Sequence, residues 1–229
     1  MPNITTTSIE YPANGVDGAG HLARPDDNAT HPGVIVIQEW WGLDAHIKSI
    51  ADRFANEGFV ALAPDLYHGE FATEPDEARK LVMNMNREQA LKDLTGAVKC
   101  LQAMPQVAPK KIGCIGFCMG GSLTLALAAA TPDIAAAAPF YAGLQPPAEE
   151  LAKIRAEMFC AFGADDGGIP IENVRKFEEI LKSTDRNAVV KVYDGAPHSF
   201  FNDTRPSYRP AAAEDAWARS LELFRRVLV

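Results

Sequence analysis

The stretch KIGCIGFCMGGS, residues 111–122, decides the fold and the chemistry of this chain. It contains G-x-C-x-G at residues 116–120, the pattern of a nucleophile held at a sharp turn between a strand and a helix. Such a turn strains the backbone of the nucleophile, so the residues two before it and two after it must be small. Gly116 and Gly120 meet this requirement around Cys118.

The same turn favours a reactive thiol at Cys118. A helix that begins there directs backbone N–H groups and its positive end toward the sulfur, which favours the thiolate. The alternative interpretation of this isolated pattern is a buried structural cysteine beside a glycine-rich helix start.

Around this turn, short apolar runs alternate with segments of helical periodicity, as in a mostly parallel central sheet with helices on both faces. Strands are predicted at residues 34–38, 59–63, 111–115, 134–140, 158–162 and 188–193. Helices are predicted at residues 45–57, 122–130, 148–154, 171–183 and 211–227, and residues 74–104 are predicted to form one bent helix or two. Because no repeat, low-complexity tract or linker is found, residues 1–229 are predicted to form a single α/β domain.

The composition argues against two classes of partner. The 229 residues include 22 Lys and Arg against 30 Asp and Glu, a net charge of −8, which argues against nucleic acid and anionic membranes as partners.

The sequence pattern predicts neither a membrane span nor a signal peptide. The apolar stretch 123–144 is interrupted by Thr131, Pro132, Asp133 and Pro139, well short of the roughly 20 apolar residues of a membrane span. The first twenty residues lack the basic and apolar regions of a signal peptide, so a cytoplasmic location is expected.

The four cysteines show no metal-binding spacing. No C-x-x-C pair occurs and no histidine neighbours them in a zinc-site pattern, so no metal site is expected and the thiols are expected to be reduced.

Two later segments supply partners for the thiol. GADDGGIP at residues 163–170 and YDGAPHSFF at residues 193–201 each follow a predicted strand, where the catalytic loops of open α/β sheets gather. His198 is predicted to take the proton from Cys118, and an aspartate is predicted to hold the imidazole in the required tautomer. Asp165 and Asp166 both compete for that role, and Asp166 is preferred.

Four motifs along the chain then resemble one family over nearly the whole length. They are V-I-V-I-Q-E-x-x-G at residues 34–42, A-P-D-L-Y at 63–67, G-F-C-x-G-G at 116–121, and G-x-x-D-x-x-I-P paired with G-x-x-H-x-F. The chain thereby resembles the dienelactone hydrolase family of α/β hydrolases. This resemblance implies the α/β-hydrolase fold, a cofactor-free hydrolase, and a catalytic triad of Cys118, Asp166 and His198. Only Asp166 fits the D-x-x-[VI]-P of the family, because Ile169 and Pro170 follow it at the right distance.

The resemblance also implies a role for Glu39, which directly follows the first predicted strand. In the family the matching Glu contacts the resting Cys and gives way when substrate binds, so Glu39 would regulate Cys118. The residue alone equally suits a strand-end carboxylate that reaches solvent or a neighbouring arginine. The backbone N–H groups of Met119 and Trp40 are the expected oxyanion donors.

A substrate pocket is expected near the strand ends. Trp40, Trp41, Tyr67 and Tyr141 follow predicted strands and could wall an apolar site, although plain packing is an equal alternative. Family members that open dienelactone hold its carboxylate with two arginines, one in the helical segment after D-L-Y and one shortly after the His.

This chain departs from that arginine pattern. Asn202 stands four residues after His198, where the second arginine would be. Arg79 and Arg205 are possible substitutes, and a solvated surface charge is the alternative for each.

The expected activity is hydrolysis of a small lactone or activated ester, with an enol lactone favoured because a thiolate is itself a good leaving group. A general carboxylesterase or thioesterase of the same fold is the alternative enzyme, and a silent binding protein is the alternative outside catalysis. The expected partner is a small-molecule substrate, and the chain is expected to be a monomer or a small homo-oligomer.

Overall fold

The computed structural model describes residues 3–13, 15 and 17–229. Its strands are β1 Ile4–Pro12, β2 Asp17–Pro25, β3 His31–Ile37, β4 Val60–Pro64, β5 Val107–Phe117, β6 Ile134–Phe140, β7 Glu157–Gly163 and β8 Ala188–Tyr193. Its helices are α1 Ala45–Asn56, α2 Pro75–Asn84, α3 Arg87–Ala103, α4 Met119–Ala130, α5 Ala148–Leu151, α6 Ile171–Ser183 and α7 Pro210–Leu228.

The strands form an eight-stranded sheet in the order β1-β2-β4-β3-β5-β6-β7-β8. Pairs β3–β4, β6–β7 and β7–β8 are parallel, whereas β1–β2 and β2–β4 are antiparallel. This mostly parallel sheet with its helices confirms the predicted α/β fold class. Within the described residues, no helix combines the length and apolar character needed to cross a bilayer.

The chain divides into two compact units, Met1–Cys114 with Leu228 and Ile115–Val227 with Val229. The single domain predicted over residues 1–229 stays a prediction.

The first unit contains an antiparallel hairpin that the sequence analysis missed. Strands β1 and β2 pair along their whole length, from Ile4 opposite Pro25 to Pro12 opposite Asp17. Glycines and alanines give β2 a weak strand signal. Gly20 is nevertheless suited to its place, because a Cβ there would lie 2.6 Å from the carbonyl oxygen of Ala63 on the paired strand β4.

Capping residues determine where the helices of the first unit begin and end. Asp44 caps α1 by accepting a hydrogen bond from the Ile47 N–H, and Gly58, with φ of +88°, follows its end as predicted. The predicted helical segment 74–104 is two helices, α2 and α3. Asn86 separates them, because its side chain accepts from the Gln89 N–H and starts the second.

The second unit is built on β6, β7 and β8, which pair in parallel. The apolar helix α4 packs on β6. The close approach requires glycine at position 121, because a Cβ there would overlap with the carbonyl oxygen of Phe140.

Candidate active site

Cys118 occupies the turn between β5 and α4 in a strained backbone conformation. Its φ of 57° and ψ of −113° lie in a region that non-glycine residues rarely adopt. The Cys118 N–H donates to the Phe140 carbonyl at 3.1 Å, and the Cys118 carbonyl accepts from the Ser122 N–H at 3.3 Å. These backbone bonds hold the residue at the start of α4.

Gly116 permits this turn for the predicted steric reason. A Cβ at this position would lie 2.5 Å from Thr124 Oγ1 and closer still to the Gly120 carbonyl oxygen. Strand and helix therefore approach too closely for any side chain at position 116, which confirms the prediction made for this glycine.

His198 lies between a carboxylate and the thiol. Its Nδ1 is 2.6 Å from Asp166 Oδ2, and its ring is also hydrogen-bonded to Cys118. The second carboxylate oxygen, Asp166 Oδ1, accepts from the backbone N–H groups of Gly168 at 2.9 Å and Ile169 at 3.1 Å. Because the Asp166 side chain is only 1% exposed and both its oxygens are engaged, its orientation toward the imidazole is fixed.

These partners alter the protonation of His198. Burial alone would lower the pKa of this imidazole, but the hydrogen bonds to Asp166 and Cys118 and the negative charges of both groups raise it to about 10. The protonated imidazole is therefore the favoured form of His198 at neutral pH.

The loops that carry the acid and the histidine are tied together through backbone bonds. The Asp165 N–H donates to the Ala196 carbonyl at 3.0 Å. At Gly163 a Cβ would overlap with the same carbonyl, so glycine lets the two loops meet. Asp165 itself is exposed, so the structure places Asp166, and not Asp165, against His198.

Tyr141 packs beside the imidazole. It is fully buried, and its ring lies edge-on to His198 with centroids 5.0 Å apart. Phe200 also contacts the Tyr141 ring, with centroids 5.5 Å apart, so the aromatic group supports one side of the histidine. This contact is compatible with the packing alternative considered for Tyr141, and its role in substrate binding stays a prediction.

In the first unit, a hydrogen bond links two of the predicted pocket residues. The Tyr67 hydroxyl donates to the Trp40 carbonyl at 3.2 Å, and Trp40 packs edge-on against Trp41 with ring centroids 5.0 Å apart. Tyr67 and Trp41 are each 7% exposed.

Glu39 is buried, with 1% of its surface exposed. Its regulatory role stays a prediction. The roles of the Trp40 and Met119 N–H groups as oxyanion donors also stay predictions.

The candidate carboxylate-binding residues differ in placement. Arg79 is 66% exposed and lies 3.5 Å from Asp76 on the same helix, as a solvated surface charge would. Arg205 is half-buried. Asn202 is fully buried, and its Oδ1 accepts from both the N–H and the hydroxyl of Thr204, so it organises the loop after His198.

One partner of the site escaped the sequence analysis. The Phe140 carbonyl receives the Cys118 N–H, but a backbone acceptor leaves no mark on the residue type. The only available signal was the position of Phe140 at the end of a predicted strand. Within residues 3–13, 15 and 17–229, no group of three or more His, Cys, Asp or Glu side chains is arranged to hold a metal ion.

Comparison with known proteins gives one consistent result. The family model described as "Dienelactone hydrolase family" matches residues 19–228. The "Putative carboxymethylenebutenolidase" of Synechocystis sp. is 36% identical, with 99% of this chain and 98% of that protein covered. "Protein usf" of Aquifex pyrophilus is 39% identical, with 96% and 98% covered.

A solved structure agrees with these sequence relatives. The crystal structure of a "Putative Dienelactone Hydrolase" from Klebsiella pneumoniae subsp. pneumoniae superposes with a TM-score of 0.91 at 29% identity. The match covers 98% of this chain and 99% of that one. The shared fold thus extends along both chains.

Proposed function

The chain belongs to the dienelactone hydrolase family, and from this premise we propose that it hydrolyses a small enol lactone through Cys118, His198 and Asp166. The observation that carries the proposal is that the His198 ring is hydrogen-bonded to both Asp166 and Cys118. The strained backbone of Cys118, at the start of a helix, is the second support.

In the proposed first half-reaction, the Cys118 thiolate attacks the lactone carbonyl carbon and forms a C–S bond. The negative charge moves to the carbonyl oxygen, where the N–H groups of Met119 and Trp40 would stabilise it. The tetrahedral intermediate then collapses, the ring C–O bond breaks, and an enolate leaves. The His198 imidazolium gives its proton to the enolate, which becomes the enol and then its ketone. His198 is left neutral, and a thioester remains on Cys118.

In the second half-reaction, water hydrolyses the thioester. Neutral His198 takes a proton from the water as it attacks the thioester carbonyl, and Asp166 stabilises the imidazolium that forms. Collapse of this second intermediate breaks the C–S bond, releases the carboxylic acid and restores the thiolate–imidazolium pair. Every step uses a side chain, a backbone N–H or water, so the proposed reaction calls for no cofactor.

The nucleophile favours enol lactones over alkyl esters. In the tetrahedral intermediate, a thiolate is expelled more easily than an alkoxide, so an alkyl ester tends to return to reactants. An enolate is a stabilised leaving group and competes successfully with the sulfur. A small enol lactone is therefore the proposed substrate, with Trp40, Tyr67 and Tyr141 as proposed pocket residues.

Glu39 is proposed to regulate the nucleophile. A carboxylate 1% exposed at the end of the buried strand β3 is costly unless its charge is compensated. We propose that Glu39 interacts with resting Cys118 and gives way when substrate binds, leaving the thiolate to pair with His198.

A carboxylesterase or thioesterase acting on another small ester is the second candidate, and the state of two residues favours it. Asn202 replaces the arginine found after the His in lactone-opening relatives, and Arg79 is largely solvated. A chain without a carboxylate clamp would prefer an uncharged substrate.

The test compares two substrates on wild type, Cys118→Ser and Cys118→Ala. Steady-state opening of an enol lactone bearing a carboxylate is measured beside the burst phase of p-nitrophenyl acetate hydrolysis. Fast lactone turnover that both variants lose, with only slow ester hydrolysis, is the expected result. A burst on the ester with negligible lactone opening would favour the second candidate, and full activity of Cys118→Ala would contradict both.

A further inference from the structure

In the first unit, a buried aspartate lies beside an exposed histidine, His68, at the wall of a cleft. Asp93 lies on α3, and its side chain is 1% exposed. Its Oδ1 accepts a hydrogen bond from Gln89 Nε2 at 2.8 Å. Its Oδ2 lies 3.2 Å from His68 Nε2, yet it has no hydrogen-bond partner within the part of the chain that the structure describes.

This arrangement leaves the carboxylate poorly compensated. One neutral amide donor serves one oxygen, and a misaligned ring nitrogen approaches the other. A buried carboxylate in such surroundings is costly unless a cation or further donors reach it. Asp93 also affects a neighbouring group. Burial, and after it the negative charge of Asp93, raises the pKa of the Tyr11 phenol.

The cleft that Asp93 lines, called here the Asp93 cleft, has a volume of about 270 Å³. Its apolar wall is made by Leu66, Leu81, Met85 and Ala90. The remaining lining groups are uncharged or acidic apart from His68, and the described lining residues include no lysine or arginine. The Asp93 cleft therefore combines a short apolar channel with a negative charge at its wall.

We propose that the Asp93 cleft binds a small organic cation, a primary alkylammonium with a short apolar tail. The ammonium group donates to Asp93 Oδ2 and occupies the position that His68 approaches. The alkyl tail contacts Leu66, Leu81 and Met85. Glu70 adds a second negative charge to the lining, which strengthens the preference for a cation.

The same charges separate this ligand from the proposed lactone substrate. A lactone that bears a carboxylate is repelled by Asp93 and Glu70 and finds no lysine or arginine in the lining. The inference is independent of the proposed hydrolase activity and is tested by binding alone.

The experiment titrates the protein with n-butylammonium chloride and follows the backbone amides of residues 66–70 and 84–93 by NMR. Saturable shifts with a dissociation constant of about 1 mM are expected for a ligand this small. 1-Butanol has the same shape without the charge, so it should bind at least about tenfold more weakly. Butyrate should cause no saturable shift.

Asp93→Asn removes the charge and keeps the shape, so affinity for butylammonium should fall at least about tenfold. Asp52→Asn is the matched control, because Asp52 pairs with His21 at 2.7 Å in the same unit but outside the Asp93 cleft. It should leave the affinity within about twofold of wild type.

Two results would overturn the proposal. One is equal binding of butylammonium and butanol to wild type, which needs no variant and so decides the question even if Asp93→Asn does not fold. The other is the absence of saturable shifts, which would mean that His68 and solvent alone compensate Asp93.

Discussion

Replacing Asp166 with asparagine should remove most of the activity by reversing the tautomer of His198. Asp166 Oδ1 accepts two backbone N–H groups, so the amide oxygen of the substituted side chain would remain there. The NH₂ group would then occupy the position of Oδ2, 2.6 Å from His198 Nδ1. Nδ1 would have to accept a hydrogen bond, and Nε2 would carry the proton. A histidine in this tautomer cannot take a proton from Cys118 or from water.

The magnitude follows from two effects. Loss of a buried, charge-assisted hydrogen bond costs about 1.5 to 3 kcal/mol, or roughly ten- to 150-fold in rate. Loss of the correct tautomer removes general base catalysis, which raises the rate roughly 10²- to 10⁴-fold. The two effects overlap because both act through the same imidazole, so kcat/KM should fall by about 10³ to 10⁴.

The assay measures kcat/KM for the enol lactone and for p-nitrophenyl acetate, together with the rate at which iodoacetamide alkylates Cys118. Alkylation should slow as well, because the thiolate loses its imidazolium partner. Asp165→Asn is the control, since this neighbour is exposed and should change kcat/KM less than about twofold. Activity of Asp166→Asn within tenfold of wild type would refute the reasoning.

Three further outcomes are expected. Gly116→Ala should lower the free energy of unfolding by about 3 kcal/mol in urea titrations, because its Cβ overlaps with backbone, whereas Gly167→Ala, with open space around it, should cost less than about 1 kcal/mol. The pKa of His198 is raised from 6.5 to about 10, so its stabilising contribution is fully present below about pH 6.5 and is lost as pH rises through about 10. Wild type should therefore lose stability more steeply than His198→Gln over that interval, and parallel curves would contradict this. Tyr67→Phe removes the bond to the Trp40 carbonyl, so kcat should fall by up to about tenfold with KM nearly unchanged; an increase in KM alone would instead favour direct substrate binding by Tyr67.

Elements whose ends are determined by local residues such as proline and glycine could be predicted from the sequence. Strands β6 and β8 and helix α6 have the predicted bounds, and proline directly precedes α6. The elbow was predictable because a strained cysteine leaves a glycine requirement two residues away.

Elements held by pairing were harder to predict. Strand β5 begins at Val107, four residues before its predicted start, although Pro109 and Lys110 lie in that stretch. The hairpin β1–β2 was missed for the same reason, since neighbouring backbone supplies what the glycines of β2 lack in propensity.

In the candidate site, the side chains could be predicted from the sequence, whereas the backbone contacts could not. The ordered motifs indicated Cys118, Asp166 and His198, because each role demands a particular side chain. The acceptor for the Cys118 N–H is the Phe140 carbonyl, and the loops that carry Asp166 and His198 meet through the Ala196 carbonyl. Any residue type supplies a carbonyl, so no pattern in a single sequence marks these positions.

A His–Asp pair alone does not mark an active site in this chain. In the described part of the chain, His21, His31, His68 and His198 each lie within 3.2 Å of an aspartate oxygen. Their distances are 2.7, 2.9, 3.2 and 2.6 Å, too similar to assign chemistry. Neither a search for His and Asp in the sequence nor a distance criterion in the structure separates the candidate catalytic pair from the others.

The second partner of the ring makes the distinction. His31 also uses both nitrogens, but its second partner is the Gly58 carbonyl, which cannot act as a nucleophile. His198 has Asp166 on one nitrogen and a thiol as its further partner, and that thiol belongs to a residue held in strain at a helix start. Nucleophilic catalysis requires a group that gives up a proton to the histidine and then attacks the substrate. The second partner of the histidine therefore decides which His–Asp pair can be catalytic. The sequence supplied that nucleophile because G-x-C-x-G places a small residue two positions before and two positions after the cysteine.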